Sequence, residues 1–308
     1  KMQSHMPLEN PLYQRTQRWA KMVEERSNGQ IKFEVYGSSQ LAPAKAAFDA
    51  LAGGAFDLLD TSAGLVSGKC NIGGFGFQPY AFPNYKNLCD AWWKGGIRDI
   101  ADRVYREMVH ITVLGLNQFS GGCVLSTVPI HKLEDFKGLK GAGWGGELVK
   151  VVEKLGSAPV VLGPPDCYLA FQRGTIDYTI LPIYNLKVYS LWEVVHYVIR
   201  PAVQPTPTLF VWMNLDAWNS LPKNLQELMV DTMKESNYYD INVIAAEEAK
   251  DIEWAKSKGL EFIELPPEEV ARWKAATSLW DWYVDECEKQ GIGDEAREIV
   301  NICKSYAK

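Results

Sequence analysis

The sequence lacks several features that mark common classes of protein. No run of 18 or more apolar residues occurs among its 308 residues, so it offers no candidate for a membrane-spanning helix. The formal charge is −6, from 32 basic and 38 acidic residues, and the basic residues are scattered singly along the chain. Without a basic patch there is no electrostatic footprint for a phosphate backbone. We therefore predict that the chain neither binds nucleic acid nor spans a membrane.

Motifs of nucleotide-binding and hydrolytic enzymes are also missing. The chain has no Gly-x-Gly-x-x-Gly after a strand, no Gly-x-x-x-x-Gly-Lys-Ser/Thr, no His-Glu-x-x-His and no Gly-x-Ser-x-Gly. Its four histidines lie in separate segments, and none has an acidic or cysteine partner at useful spacing. We predict no enzyme and no cofactor, and a transferase that uses His5 as its base is the competing hypothesis.

Cysteine is present, but not in the spacing of a metal site. None of the six cysteines forms a Cys-x-x-Cys pair, which disfavours zinc and a thioredoxin-type redox centre, so we predict no metal. The even number permits disulfides, and Cys70 with Cys89 and Cys287 with Cys303 are close enough in sequence to be candidate pairs. Spacing does not fix connectivity, so both pairs stay open.

What the chain does contain is α/β patterning. Its length and its 47% apolar residues suffice for two domains. Strand-like and helical segments alternate, including an aromatic helix at 189–196, and this predicts two α/β lobes with a ligand cleft between them. Residues 222–256 predict one long amphipathic helix that spans both lobes. We assign 1–120 plus 208–250 to lobe I, and 121–207 plus 251–308, with the C-terminal helices, to lobe II.

Three residues stand out by their context. Trp144 follows a glycine-rich stretch that we expect to be a loop, where it can either stack on a ligand or pack against the loop. Trp212 lies in the apolar strand 208–214, which predicts a core position. His5 is the histidine at the carboxyl end of a strand, where α/β folds bind ligands.

Segments along nearly the whole chain resemble one family of binding proteins. In order, they are residues 29–35, 39–41, 53–57, 136–140, 155–160, 168–177 and 214–222. They are similar to the opening, the second lobe and the entry into the long helix of DctP-type TRAP (tripartite ATP-independent periplasmic) transporter solute-binding proteins. The chain is accordingly identified as a member of that family by resemblance.

The resemblance implies a periplasmic solute-binding fold of two α/β lobes with a long helix across both. It implies that the protein is no catalyst but captures a small molecule as the cleft closes and delivers it to TRAP permease subunits. It also implies a periplasmic location, with the signal segment absent from this chain, and we expect a monomer. A ligand-sensing protein on the same fold is the alternative.

The sequence departs from the family at the position that usually holds the ligand. Members carry an Arg two residues after the Lys-Gly-Leu-Lys motif, and its guanidinium binds the ligand's carboxylate, but this chain has Ala142 there. No Arg lies in residues 116–126, and the strand end at 180–182 is apolar. Because a buried carboxylate without a partner is unfavourable, we expect a ligand other than a dicarboxylate such as malate or succinate.

The residues that we expect around the cleft are mainly aromatic and amide side chains. They are Ser4, His5, Asp60, Gln78, Tyr80, Asn117, Gln118, Trp144, Leu181, Tyr184 and Gln204. This lining favours an indole- or phenyl-type amino or keto acid stacked on Trp144. The alternative ligand is a small amine such as ethanolamine or choline, held by cation–π contact and by Asp60. Asp60 can equally be a turn carboxylate that faces solvent.

Overall fold

The computed structural model describes the backbone of residues 1–307 and all of their side chains except that of Thr208. Within this range the strands are β1 (Met2–Ser4), β2 (Val35–Tyr36), β3 (Leu58–Thr61), β4 (Ile111–Gln118), β5 (Gly122–Ser126), β6 (Lys140–Gly143), β7 (Ala158–Val161), β8 (Tyr178–Pro182), β9 (Tyr197–Gln204), β10 (Thr208–Asn214) and β11 (Glu261–Glu264). The α-helices are α1 (Pro11–Arg26), α2 (Ala47–Ala52), α3 (Tyr85–Trp93), α4 (Ile97–Val109), α5 (Gly145–Lys154), α6 (Cys167–Gln172), α7 (Asn185–Val188), α8 (Leu215–Asn219), α9 (Lys223–Ser257), α10 (Pro267–Ala276), α11 (Trp280–Glu288) and α12 (Gly293–Tyr306).

The strands form two mixed sheets, one in each lobe. The sheet of lobe I has the order β2-β1-β3-β10-β4, and the sheet of lobe II has the order β11-β9-β5-β8-β6-β7. In the first, β1 is parallel to β2 and β3, and β10 lies antiparallel between β3 and β4. In the second, β6 is parallel to β7 and β8, whereas β5 is antiparallel to β8 and β9. The predicted two-lobed α/β fold is therefore confirmed.

Along the described residues the chain crosses between the lobes at four places, the last of them between α10 and α11. Residues 119–121 join β4 to β5, and residues 205–207 join β9 to β10. The third connection is α9, a helix of 35 residues. Near its start Met229 and Met233 pack in lobe I, and near its end Ala255 packs in lobe II. The predicted long helix across both lobes is therefore confirmed.

Local sequence determines where the first helix, α1, begins. The Asn10 side chain accepts a hydrogen bond from the Leu12 N–H (2.9 Å), and Pro11 occupies the first helical position. Leu12, Trp19 and Val23 then recur on one buried face of α1. This cap fixes the start of α1 immediately after the turn that follows β1.

Trp212 has the core position that its strand predicts. It is fully buried, and its ring centroid lies 5.5 Å from that of Phe48, 5.7 Å from that of Tyr105 and 5.5 Å from that of Phe210. Such aromatic pairs add stability beyond the area that they bury. Trp212 is thus part of the packing of lobe I.

Two segments of lobe II differ from the sequence prediction. Residues 189–196 form a short 3-10 turn, Leu191–Glu193, instead of a helix, and β9 begins directly afterwards. The glycine-rich stretch before Trp144 contains β6 instead of a loop. Gly141 makes this strand possible because a Cβ there would lie 2.5 Å from the ring of Tyr178.

The C-terminal helices correct the predicted lobe boundary. α10 packs on lobe II through Trp273, as assigned. Helices α11 and α12 instead belong to the core of lobe I, where the Tyr283 hydroxyl donates a hydrogen bond to the Ile72 carbonyl (2.8 Å). An apolar helix face does not indicate which lobe it covers, so the pattern alone could not assign these helices. Lys308, the end of the predicted boundary, lies outside the described residues.

All six cysteines are buried free thiols. Neither candidate disulfide, Cys70 with Cys89 or Cys287 with Cys303, is therefore formed. Burial raises the pKa of the Cys70, Cys89 and Cys287 thiols to about 12, which keeps them protonated and unreactive.

The described residues contain neither a membrane-spanning helix nor a metal-binding cluster. No helix in residues 1–307 combines the length and the apolar character needed to cross a membrane. Over the same part of the chain, no group of three His, Cys, Asp or Glu side chains is placed to hold a metal ion.

Candidate ligand-binding site

A cavity of 370 Å³ lies between the two lobes, a volume typical of small-molecule sites. His5 follows β1 and Ser62 follows β3 in its wall, while Trp144 follows β6 and Leu181 lies at the end of β8. The cavity therefore sits at the carboxyl ends of strands from both sheets. This is the edge at which α/β folds place their ligand-binding loops.

The wall of the cavity is mainly apolar and aromatic. The residues of this kind are Met6, Pro7, Ala44, Leu65, Phe77, Phe119, Trp144, Leu148, Pro164, Pro165, Leu181, Pro182, Tyr184, Tyr189 and Leu209. Polar side chains and glycines complete it, namely His5, Asn10, Ser62, Gly64, Gly145, Glu147 and Asn185. No Lys or Arg is found among the described residues of this wall. The wall accordingly offers no permanent positive charge to an anion.

Four of the eleven residues expected from sequence line this cavity: His5, Trp144, Leu181 and Tyr184. Trp144 is half-buried and packs against both apolar clusters of lobe II. Part of its ring therefore supports the lobe and part of it borders the cavity. Contact between Trp144 and a ligand stays a prediction.

Asp60, Ser4 and Asn117 are not in the cavity wall but in a buried hydrogen-bond network. Asp60 Oδ2 accepts hydrogen bonds from Ser4 Oγ (3.1 Å), Thr16 Oγ1 (2.7 Å) and Asn117 Nδ2 (2.9 Å). Burial raises the pKa of Asp60, and these donors oppose that rise. Asp60 does not face solvent, because its side chain is fully buried. It joins β3 to β1, α1 and β4.

His5 lies between this network and the cavity. Its backbone N–H donates to the Asp60 carbonyl (3.3 Å), and its Nδ1 lies 3.3 Å from the same oxygen. Burial lowers the pKa of His5, partly offset by the charge and the carbonyl of Asp60. His5 is therefore neutral at pH 7 and supplies a hydrogen-bonding ring instead of a charge.

The other four expected residues lie outside the described cavity wall. Gln204 Nε2 donates to the Phe77 carbonyl (2.8 Å), and the Tyr80 N–H donates to β9 (3.1 Å), so both belong to contacts between the lobes. The Gln118 amide bonds to a cysteine sulfur of α3 (3.0 Å). Gln78 is buried, and its amide atoms have no hydrogen-bond partner among the described residues. Their contact with a ligand stays a prediction.

Glu147 is a candidate that the sequence analysis missed. Its side chain is in the cavity wall, yet the residue is only 4% exposed, and Oε1 has no hydrogen-bond partner in the described part of the chain. Burial raises the pKa of Glu147, and a hydrogen bond from its own backbone N–H partly opposes this. Glu147 is the third residue of α5, where an acidic residue is an ordinary helix-start signal. Because an acidic residue is common at this position, the sequence did not indicate that Glu147 is buried.

A second cavity, of 420 Å³, borders the first at Phe119 and Tyr184. Its charged residues are Glu9, Arg15, Lys187, Glu247, Lys250 and Asp251. Several of these charges are already paired, because Arg15 bonds to Glu247 and Lys187 Nζ lies 2.7 Å from Asp251. Tyr184 is the one residue expected from sequence that lies in the described wall of this second cavity. The first cavity is therefore the better candidate for the ligand site.

Comparisons with known proteins agree with this arrangement. The family model described as Bacterial extracellular solute-binding protein, family 7 (DctP) matches residues 2–285. The Monocarboxylate 2-oxoacid-binding periplasmic protein all3028 of Nostoc sp. is 29% identical over 232 residues, which are 72% of this chain and 62% of that protein. The C4-dicarboxylate-binding periplasmic protein DctP of Rhodobacter capsulatus is 26% identical over 266 residues, 83% of this chain and 77% of that protein.

A solved structure shows the same fold. It is a TRAP periplasmic solute binding protein from Desulfovibrio salexigens with bound orotic acid, and it superimposes with a TM-score of 0.87 at 19% sequence identity. The match covers 99% of this chain and 97% of that chain. The two-lobed arrangement is therefore shared over the whole length of both chains.

Proposed function

The chain belongs to bacterial extracellular solute-binding protein family 7, the DctP-type binding proteins of TRAP transporters, and on that basis we propose that it captures a small aromatic molecule in the cavity between its lobes. It is a periplasmic solute-binding protein and not an enzyme. The proposed ligand has an indole or phenyl ring and a short polar end, as in an aromatic amino or keto acid. The proposal excludes a dicarboxylate held by Arg.

The observation that carries this proposal is the composition of the cavity wall. Five aromatic side chains border it, and no Lys or Arg does so among the described residues. They are Phe77, Phe119, Trp144, Tyr184 and Tyr189. Aromatic rings gain most from apolar and stacking contacts of this kind, whereas a dicarboxylate needs charged partners.

The residue at the position that carries Arg in the family supports the same proposal. Ala142 lies in β6, is 1% exposed and packs in the apolar core of lobe II. Arg15 borders the second cavity and pairs with Glu247. Among its described residues, the wall of the first cavity therefore has no replacement for the missing guanidinium.

Two of the compared proteins indicate what the fold can hold. The Desulfovibrio salexigens protein contains orotic acid, a planar ring with one carboxylate. The Nostoc relative is a monocarboxylate 2-oxoacid-binding protein. A planar ring and a single small polar end are both compatible with a cavity of 370 Å³.

We further propose that the two lobes close on this ligand and that the closed monomer is what the TRAP permease subunits recognise. The connections at 119–121 and 205–207 are the hinge candidates, since both join a strand of one sheet to a strand of the other. The hydrogen bond from Gln204 to Phe77 lies beside the second connection. Scattering from the free and ligand-bound protein would measure closure and oligomeric state together.

A thermal-unfolding screen tests the ligand class. Aromatic amino acids, aromatic keto acids, arylalkylamines, succinate and malate are added separately, and a ligand at 100 times its Kd is expected to stabilise the protein by about 2.7 kcal/mol. We expect stabilisation by indole and phenyl compounds only. Stabilisation by succinate or malate, with none from any aromatic compound, contradicts the proposal.

A further inference from the structure

We propose that Glu147 selects the ligand by pairing its carboxylate with an ammonium group, so that the cavity takes an aromatic amine. This rests on the proposed binding of aromatic molecules and adds the identity of the polar end. The compound class is an aromatic ring on a short chain that ends in a protonated amine. Free amines of this class and aromatic amino acids both belong to it.

The first argument is the position of the carboxylate. Glu147 is in the wall of the cavity, it is only 4% exposed, and its Oε1 has no hydrogen-bond partner among the described residues. A buried polar group without a partner is unfavourable, and a buried charge without a partner is more so. A ligand donor that reaches the carboxylate from the cavity removes this penalty.

The second argument is the lack of a cation from the protein itself. Over the described residues, no ion pair involves Glu147, and no Lys or Arg lines the cavity. Among charged side chains, Glu286 acts on Glu147, and its negative charge raises the pKa of Glu147 further. Apart from the tyrosines, His5 is the titratable ring of the described wall. Burial keeps it neutral. The compensating positive charge must come from the ligand.

The third argument is the set of groups that lie near the Glu147 carboxylate. Glu147 is three residues after Trp144, and both line the same cavity. Across the cavity, Ser62 supplies a hydroxyl oxygen and Gly64 adds no side chain. An ammonium group can donate to the carboxylate and to the hydroxyl while the ring of the ligand lies among the aromatic side chains.

A ligand carboxylate is disfavoured at the same place. It would approach Glu147, a group of like charge when ionised, with no cation in the described wall to separate them. A carboxylate could bind only if Glu147 were protonated and donated a hydrogen bond to it. The experiment below distinguishes these two arrangements.

The experiment measures Kd by calorimetry at pH 7.5 for three probes of nearly equal size: 2-phenylethylamine, 2-phenylethanol and phenylacetate. The set of tryptamine, tryptophol and indole-3-acetate repeats it with a larger ring. We expect the amine to bind about 10- to 100-fold more tightly than the alcohol, because only the ammonium group brings an opposite charge to the carboxylate. The acid is expected to bind most weakly.

Variants assign the effect to Glu147. In Glu147→Gln the amine is expected to lose its advantage and to bind about as weakly as the alcohol. Glu153→Gln is the matched control, since it is the same substitution on the exposed face of the same helix. Glu147→Asp keeps the charge, so it is expected to retain part of the preference and to serve if the Gln variant does not fold.

The outcomes separate the two proposals. If the alcohol and the amine bind equally to the wild type, or if Glu147→Gln keeps the preference for the amine, the inference is overturned while aromatic binding stands. If the acid binds most tightly and loses affinity in Glu147→Gln, Glu147 is a proton donor and the inference is likewise overturned. If no aromatic probe of any charge binds, the proposed function itself fails.

Discussion

The carboxylate of Glu147 in lobe II lies beside Gly64 of lobe I in the wall of the cavity. A Cβ on Gly64 would lie 3.6 Å from Glu147 Oε2 and 3.4 Å from Ser62 Oγ. Both distances are ordinary van der Waals contacts, so one methyl group fits there. Anything larger would occupy the space in front of the carboxylate. Because Gly64 has no side chain, none stands beside the Glu147 carboxylate at this point of the cavity wall.

This relationship predicts that Gly64→Leu blocks the site. We expect the affinity for the tightest aromatic ligand of the screen to fall at least about 10-fold, because the leucine side chain fills the volume beside Glu147. Gly64→Ala is expected to have a much smaller effect. Calorimetric Kd values and the melting temperature of each variant check both statements.

Gly68→Leu is the control for this pair of variants. Gly68 is exposed, and a Cβ there would meet nothing within 4 Å. It should therefore bind ligand as the wild type does. Unchanged affinity in Gly64→Leu would show that the ligand lies elsewhere in the cleft.

The stability of the ligand-free protein is expected to report the burial of Glu147. Burial raises the pKa of Glu147 in the folded state. The contribution of Glu147 to the free energy of unfolding is therefore fully present below the unfolded pKa, near 4.3. It is lost as the pH rises through the folded pKa. Glu147→Gln cannot ionise. The variant should therefore be more stable than the wild type at pH 8, by about 1–3 kcal/mol, and this advantage should shrink towards pH 4.

Thermal unfolding of both proteins between pH 4 and pH 8, without ligand, measures this difference. Glu153→Gln is again the control, and its stability difference from the wild type is expected to stay small over the whole range, because this side chain is 41% exposed. An advantage of Glu147→Gln that is greatest at pH 4 would have the wrong sign and would contradict the burial of an unpaired carboxylate.

Trp144 is expected to hold the ring of the ligand. Trp144→Ala should weaken the binding of indole and phenyl compounds by about 10-fold, through lost stacking and apolar contact, and Trp144→Phe should restore part of it. Titration of each variant with the same ligand gives the affinities. The melting temperature shows how much of the loss comes from the part of Trp144 that packs in lobe II.

Trp192→Ala provides the comparison for Trp144. Trp192 is half-buried in the same lobe and contacts Trp254 with a ring-centroid distance of 6.2 Å, away from the cavity wall. Its loss removes packing in the same lobe, so it should lower stability and leave affinity unchanged. Equal losses of affinity in both variants would mean that Trp144 acts through packing alone.

Much of the fold could be predicted because its signals are local. The cap at Asn10 and the apolar face of α1 predict that helix, and the long periodic segment 222–256 predicts α9. The strand β9 was missed because the aromatic residues before it were assigned to a helix. Helices α11 and α12 were predicted as helices but assigned to the wrong lobe, because packing partners are set by tertiary structure.

The candidate site was predicted less completely, and for a related reason. His5 follows a strand whose carboxyl end can be located from sequence, whereas Trp144 stands out by the glycine-rich stretch before it. The roles of Asp60 and Glu147 depend on which lobe surrounds each carboxylate. Asp60 is enclosed by donors from β1, α1 and β4, whereas Glu147 lies at the meeting of two lobes. Neither environment can be predicted from the sequence, because each is formed by residues that are distant in the chain.

Asp60 and Glu147 can be distinguished experimentally as partners of an amine. Asp60→Ala removes the acceptor of three buried donors, so it should destabilise the protein by about 2–4 kcal/mol in urea unfolding, and Asp60→Asn by less. Asp231→Ala, at an exposed position of α9, should change stability by less than about 0.5 kcal/mol. Because Asp60 is fully buried outside the cavity wall, Asp60→Asn should keep the preference for an amine over the matched alcohol. If instead Asp60→Asn loses this preference while Glu147→Gln keeps it, Asp60 is the partner of the ammonium group.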